Sequence, residues 1–392
     1  MRRALAGLAG LAGLAASTAL HLAAAAPHPD AAPAPGLRAQ LDATIRPLMA
    51  RQHIPGMAVA VAVDGRAYVF NYGTASPQGK TPVTDRTLFE IGSVTKMFTA
   101  TLAAYAQETG QLSLADHPSR HLPQLKGRPI DAATLLHLGT YTAGGLPLQF
   151  PDAVGDADDD ALAYLHDWQA SAAPGTVREY SNPSLGLLGT ATAAAMHAPY
   201  ATLMEGTLLP KLGLAHTWIR VPAGAQADYA WGSRDGKTVH MSPGPMAEPT
   251  YGVRTTAADL LRFLQLNIDP SGLEPPLRRA VEITHAGRFG VGGMVQGLGW
   301  EQYPYPVSRE LLLGGNASEV INDPIPVRAL DAPPAGPRLF DKTGSTGGFG
   351  AYVLFVPSKR VAVVMLANRN YPIPERVEAG YAILQALSPE DR

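Results

Sequence analysis

The chain contains no cysteine. That excludes disulfides, thiolate metal sites and a cysteine nucleophile together. It also suits an oxidising compartment, where a stray thiol is a liability. Charge is sparse: 16% of the 392 residues are Asp, Glu, Lys or Arg, and the formal net charge is −2. No basic surplus points to nucleic acid, and no charge run points to a membrane surface or an acidic partner. The 11 histidines include no H-E-x-x-H and no cluster at ligand spacing, so no metal is expected. His137, between Leu136 and Leu138, reads as a structural histidine. Internal repeats are absent.

Apolar residues are plentiful, at 46%, enough for a sizeable core. They also shape the N-terminus. Arg2 and Arg3 form a positive head, Ala4 to Leu20 is largely apolar, and Ala23 to Ala26 precede Pro27. Those are the three parts of a secretory signal peptide, with cleavage expected near Ala25 or Ala26. The segment is short and glycine-rich for a membrane anchor, and no later stretch is apolar enough to span a bilayer. The expectation is a leader over residues 1–26 and a periplasmic protein, free of the membrane once cleaved, with one catalytic domain over 27–392.

Beyond an Ala- and Pro-rich lead-in, Leu41, Ile45, Leu48 and Met49 share a face of a helix over Leu37 to Ala50. Two β-prone runs, Met57 to Val63 and Ala67 to Tyr72, flank Asp64-Gly65, a hairpin signal. Gly350 to Val356 and Val361 to Leu366 repeat the pattern near the other end, and a helix follows over Pro374 to Leu387. Between them lie helical stretches over Val94 to Glu108, Asp158 to Ala170, Leu185 to Met196 and Thr256 to Leu266. This predicts an α+β fold: one antiparallel sheet built from both chain ends, flanked by helices, and a second, mostly helical lobe from the middle. The Pro-rich tracts Ser242 to Pro249 and Asp323 to Pro337 read as surface loops.

Three short elements carry chemistry. Ser93-Val94-Thr95-Lys96 lies where an extended segment gives way to a helix. Lys96 is one turn from Ser93, and a lysine desolvated beside other cations can lose its proton and activate a hydroxyl. By itself S-x-x-K is more often an N-cap serine and a surface lysine. Tyr180-Ser181-Asn182 offers a phenol whose pKa nearby cations can lower, and an amide that donates and accepts. By itself it reads as a buried tyrosine before an N-cap. Lys342-Thr343-Gly344 precedes the last strand pair; an edge strand with Lys and Thr can hold a carboxylate, and Gly344 permits close backbone approach. The N–H groups of Ser93 and Ser345 would then form an oxyanion hole. The glycines at 347, 348 and 350 lead into a strand, not a helix, which rejects nucleotide binding.

The order S-x-x-K, Y-x-N, K-T-G is far more specific than any member, and a related trio marks serine β-lactamases and penicillin-binding proteins. The chain resembles the class C β-lactamases, the cephalosporinases. Phe89 to Lys96, Leu136 to Gln149, Tyr229 to Gly232, Tyr251 to Val253, Gln296 to Trp300 and Lys342 through Pro372 resemble the family's blocks, and the likeness covers about residues 37–388. The resemblance implies the two-lobed β-lactamase/transpeptidase fold with the site between the lobes. It implies a monomeric, cofactor-free enzyme that hydrolyses a β-lactam, with cephalosporins preferred, through an acyl-enzyme on Ser93. Lys96 and Tyr180 would share the base role, and Lys342 would support Tyr180. Gln149 and Asn182 would contact the substrate's acylamino group, Tyr251 would line the side-chain pocket, and Ser345 would complete the oxyanion hole. Thr343, Asn370 and Arg376 would handle the substrate carboxylate. Ile373 stands where many relatives carry asparagine. The region between Leu311 and Leu339 matches poorly, and no site residue is placed there. No counterpart of the class A deacylating glutamate is present.

Other classes fit less well. An α/β-hydrolase needs G-x-S-x-G, but Ile91 and Thr95 flank Ser93 at those glycine positions. D-alanyl-D-alanine peptidases and esterases share the fold and two of the motifs. Esterases of this type often replace K-T-G, which is intact here, and peptidases usually lack the block ending at Gln149. A lactamase differs from a peptidase chiefly in how fast water clears the acyl-enzyme. A penicillin-binding sensor would need an anchor and a signalling domain.

Overall fold

A computed structural model describes residues 35–388. The leader lies outside the described residues. The first hairpin forms as its sequence predicts: β1 (Gly56–Val63) and β2 (Arg66–Gly73) pair with Val63 opposite Arg66. Asp64 and Gly65 take φ values of 52° and 81°, the left-handed turn that matches strand twist.

The other strands of this sheet come from the C-terminal part of the chain. They are β3 (Phe289–Val291), β4 (Met294–Gln296), β5 (Glu301–Pro304), β6 (Arg328–Ala329), β7 (Arg338–Ser345), β8 (Gly350–Val356) and β9 (Val361–Ala367). Among the described residues the nine strands make one antiparallel sheet in the order β6-β3-β4-β5-β7-β8-β9-β1-β2. The first hairpin therefore docks onto the last, with Met57 opposite Ala367.

Alternate residues of the central strands serve two different cores, as a period of two requires. Met57, Val59, Val61, Leu354, Val363 and Met365 pack with α1 (Pro35–Arg51) and the C-terminal helix Ile373–Leu387. Ala58, Ala60, Ala62, Val353, Phe355, Val364 and Leu366 face the other way. They join the core built around α2 (Thr95–Glu108), α3 (Asp158–Asp167), α4 (Asn182–Ala195) and α5 (Ala257–Ile268). Strands buried on both faces explain why these runs are almost continuously apolar. Helix α2 is buried from Thr95 to Ala106, all but its last two residues, so it is the axis of the helical lobe.

Two tracts read as loops contain short elements. Ala247–Tyr251 forms a helix whose Ala247, Pro249 and Thr250 are buried. Ile325–Pro326 pairs with Val177–Arg178, and β6 pairs with β3. Proline is tolerated there because it sits at a helix start or an edge, where its missing N–H costs nothing. The helix from Asp158 ends at Asp167, before Ala170.

Candidate active site

Ser93 sits on a single tight turn, Gly92–Val94, that feeds α2. Lys96 is on the first turn of that helix and fully buried. Its Nζ donates to Ser93 Oγ at 2.8 Å and to the Thr250 carbonyl at 3.1 Å. The strand β7 is pressed against this turn. A Cβ on Gly344 would lie 2.0 Å from the Ile91 carbonyl oxygen, and one on Gly92 would lie 2.4 Å from the Ser345 nitrogen. Only glycine lets the two backbones approach this closely.

Lys342 is on an inner strand of the sheet, yet its local setting is an edge. β5 pairs with β7 only as far as Glu301 opposite Asp341, so β7 beyond Asp341 is free on the side that β5 leaves. Lys342, Thr343, Gly344 and Ser345 line a cavity of about 660 Å³ from there.

Tyr180 enters the same cavity just before α4. Ser181 is that helix's N-cap, accepting from the Ser184 N–H at 3.1 Å, so the capping reading of this triplet and the chemical one are both satisfied. The Tyr180 hydroxyl is buried and makes no hydrogen bond of ordinary geometry. The Lys342 and Lys96 ammonium groups lie 4.7 and 5.2 Å from the Tyr180 ring centre. Burial pushes the phenol up, but the two cations, with help from the Ser93 hydroxyl, outweigh it and bring the pKa down to about 8. For Lys96, burial lowers the pKa to about 8 against the opposing pull of Tyr180. Lys342 behaves differently: burial opposes its charge, but Glu301, Tyr180 and Asp341 hold it above the ordinary lysine value. The site thus holds one cation, Lys342, near Tyr180, and Tyr180 and Lys96 are two groups poised to exchange a proton.

The remaining expected residues divide. Asn182 Nδ2 donates to Gln149 Oε1 at 2.8 Å, and both line the cavity. Tyr251, Asn370 and Ile373 also line it. Arg376 does not reach it. Its guanidinium is fully buried and spends its donors on the Gly344 carbonyl, Ser345 Oγ, Asn370 Oδ1 and the Tyr371 carbonyl. Arg376 therefore holds β7 and Asn370 in place, and the expectation that it faces the cavity beside Thr343 and Asn370 is corrected: it lies behind them.

Several wall residues carried no sequence signal. Arg178 is fully buried and donates to Gln296 Oε1, Glu301 Oε1 and the Val320 carbonyl. Glu301 Oε2 lies 3.8 Å from Lys342 Nζ, so a buried chain Arg178–Glu301–Lys342 backs the site. Asn316 and Ile321 line the cavity from the very stretch left without site residues. Asn316 also donates to Asp341, whose pKa burial and Glu301 raise to about 7.

A serine, a lysine and a tyrosine joined in this way, in a cleft between a sheet and a helical lobe, define a serine acyl-transfer hydrolase. The β-lactamase family matches residues 41–388. A β-lactamase of Pseudomonas fluorescens is 50% identical over 354 residues, 90% of this chain and 99% of that one. One of Escherichia coli K12 is 43% identical over 347 residues, covering 88% of this chain and 92% of that one. Among solved structures, a class C β-lactamase in complex with cefoxitin has 42% identity and a TM-score of 0.86, covering 90% of this chain and 99% of that one. One described as D-alanine carboxypeptidase AmpC from Burkholderia cenocepacia has 51% identity and a TM-score of 0.84, over the same shares. The chain belongs to the β-lactamase family, in its class C branch, and its activity is the serine-dependent hydrolysis of β-lactams.

Proposed function

We propose that Ser93 is the nucleophile and that the β-lactam is opened through an ester on its Oγ. The observation that carries this is the 2.8 Å contact from Lys96 Nζ to Ser93 Oγ beside a tyrosine of lowered pKa. In the first half-reaction the Ser93 proton passes to the Lys96–Tyr180 pair as Oγ bonds the lactam carbonyl carbon. The ring C–N bond breaks, and the pair returns a proton to the departing nitrogen. In the second half-reaction the pair takes a proton from water as water attacks the ester carbonyl; the ester C–O bond breaks and the pair returns that proton to Ser93 Oγ, which restores the hydroxyl and the pair. Tyr180 is the candidate base for that water, because Lys342 and Lys96 stabilise its anion. The Ser93 and Ser345 N–H groups stabilise the oxyanion in both halves. Asn182 and Gln149 hold the acylamino group, Tyr251 lines the side-chain pocket, and Thr343 and Asn370 face the substrate carboxylate.

The finer expectations belong to the same reading: preference for cephalosporins, export by a cleaved leader to the periplasm, a single catalytic domain, and action as a monomer. The intact K-T-G and the Gln149–Asn182 pair support a lactamase over an esterase. The test is burst and steady turnover of a chromogenic cephalosporin by the mature protein and by Ser93→Ala. Sustained turnover that S93A abolishes, with covalent labelling lost and the fold retained, is the expected result. A single stoichiometric burst with a stable ester would overturn hydrolysis in favour of a peptidase, and labelling of S93A would remove Ser93 from its role.

A further inference from the structure

Glu90 lies three residues before Ser93, on the two-residue strand Phe89–Glu90, and is 1% exposed. A buried carboxylate is costly unless every oxygen is hydrogen-bonded, so its partners show what it is for. Oε1 accepts from the Tyr229 hydroxyl at 2.6 Å and from the Met241 N–H at 2.7 Å. Oε2 accepts from the Thr346 hydroxyl. These partners belong to two walls of the cavity. Met241 and its neighbour His240 form one, and Thr346, just beyond β7, belongs to the other.

Tyr229 extends the grip. Its ring stacks on His240 at 3.8 Å, and His240 stacks on Trp231 at 3.9 Å, both nearly parallel. His240 also bonds the Ala230 carbonyl at 2.9 Å. Arg254, paired with Glu90 across the strands, donates to the Tyr229 hydroxyl at 3.2 Å, so the hydroxyl accepts from Arg254 while it donates to Glu90. One carboxylate thus ties the nucleophile's strand to the aromatic stack and to the segment after β7.

We infer that Glu90 is a positioning residue that sets the width of the pocket for the substrate's acyl side chain. This rests on the lactamase reading above. The oxyanion side has supports besides Glu90: Ser345 pairs with Gly350, its Oγ is held by Arg376, and the Thr346 N–H bonds the Phe349 carbonyl at 3.1 Å. Loosening Glu90 therefore moves the His240–Met241 wall without moving the Ser345 N–H. A bulky side chain loses its binding surface, while a small one never used it.

The experiment compares two cephalosporins with the same ring and leaving group, one with a formamido group and one with a bulky arylacetamido group. For Glu90→Ala, KM for the bulky substrate rises at least fivefold with kcat within threefold of wild type. Both constants for the formamido substrate stay within threefold. Glu90→Gln restores the wild-type ratio, since the amide oxygen still accepts from Tyr229 and Met241 and the Thr346 hydroxyl can accept from the amide nitrogen. Equal losses on both substrates, a loss confined to kcat, or E90Q as impaired as E90A would overturn the proposal. If E90A does not fold, Tyr229→Phe decides. It removes one bond to Oε1 and keeps the stacking, and an unchanged KM for the bulky substrate would overturn the proposal. Wild-type turnover of the formamido substrate tests the lactamase reading by itself, whereas the clamp is judged on the ratio between substrates, so the two can fail separately.

Discussion

Tyr180 and Lys96 reach nearly the same pKa by opposite routes. Burial works against the phenolate and two neighbouring cations overcome it, whereas burial itself drives the ammonium down. Both groups gain basic character as pH rises, so the sign is shared. Below pH 8 the unprotonated fraction of either falls about tenfold per unit, and above it the fraction levels off. The expected kcat/KM profile therefore climbs with unit slope toward about pH 8 and then flattens, and steady-state kinetics from pH 5 to 9 check it. A flat profile over that range would remove both groups from the base role. Tyr180→Phe separates the two. A general base contributes roughly 10² to 10⁴-fold, so turnover should fall by that order while the melting temperature moves little. Unchanged turnover would give the base role to Lys96.

At the scale of elements, the site depends on how closely β7 lies against the turn that carries Ser93. Gly344 is the contact point, with no room for a Cβ beside the Ile91 carbonyl. Gly344→Ala must push strand and turn apart and displace the Ser345 N–H from the oxyanion. Losing one such donor costs about 10² to 10³ in kcat. The variant is expected to stay folded and to lose at least that factor, since β7 keeps its pairing with β8. Near-normal kcat in G344A would show that the tight approach does not serve the oxyanion. Buried charge is the other feature at this scale. Arg178, Glu301 and Lys342 come from a short strand before α4, from β5 and from β7, and each is tolerated in the core because the next compensates it.

For the whole molecule, one consequence of the topology is that the two ends of the chain complete each other. β1 lies between β9 and β2, and the Ile373–Leu387 helix covers the sheet face that α1 also covers. Removing residues from 373 onward would take away the buried Val377, Ile383 and Leu384 and uncover the sheet face they cover. Each such side chain contributes roughly 1.5–3 kcal/mol, against a total stability of about 5–15 kcal/mol. The truncated chain is expected to lose its cooperative thermal transition, as followed by circular dichroism. A retained transition would mean that the helix is an accessory.

Much of this was legible from residues alone. The hairpins, the central helices and the α+β layout followed from apolar periodicity, turn chemistry and chain order, all local properties. Ser93, Lys96, Tyr180 and Lys342 could be picked out because three weak motifs stood in a specific order; Ser93, Tyr180 and Lys342 line one cavity, and Lys96, buried behind it, bonds Ser93. The sequence was silent where a residue acts through neighbours distant in the chain. Glu301 and Arg178 are 123 positions apart, and Glu90 and Thr346 are 256 apart. Nothing in the spacing of such residues says that they meet. The same reason explains Arg376: the family resemblance put it with the residues facing the substrate carboxylate, but burial behind Ser345 and Asn370 made it a brace. Sequence determined which groups can do the chemistry, because that depends on side-chain type and local order. Tertiary structure decided which of them are buried, which charges they face and which touch the cavity, because pKa and contact depend on what long-range packing brings alongside.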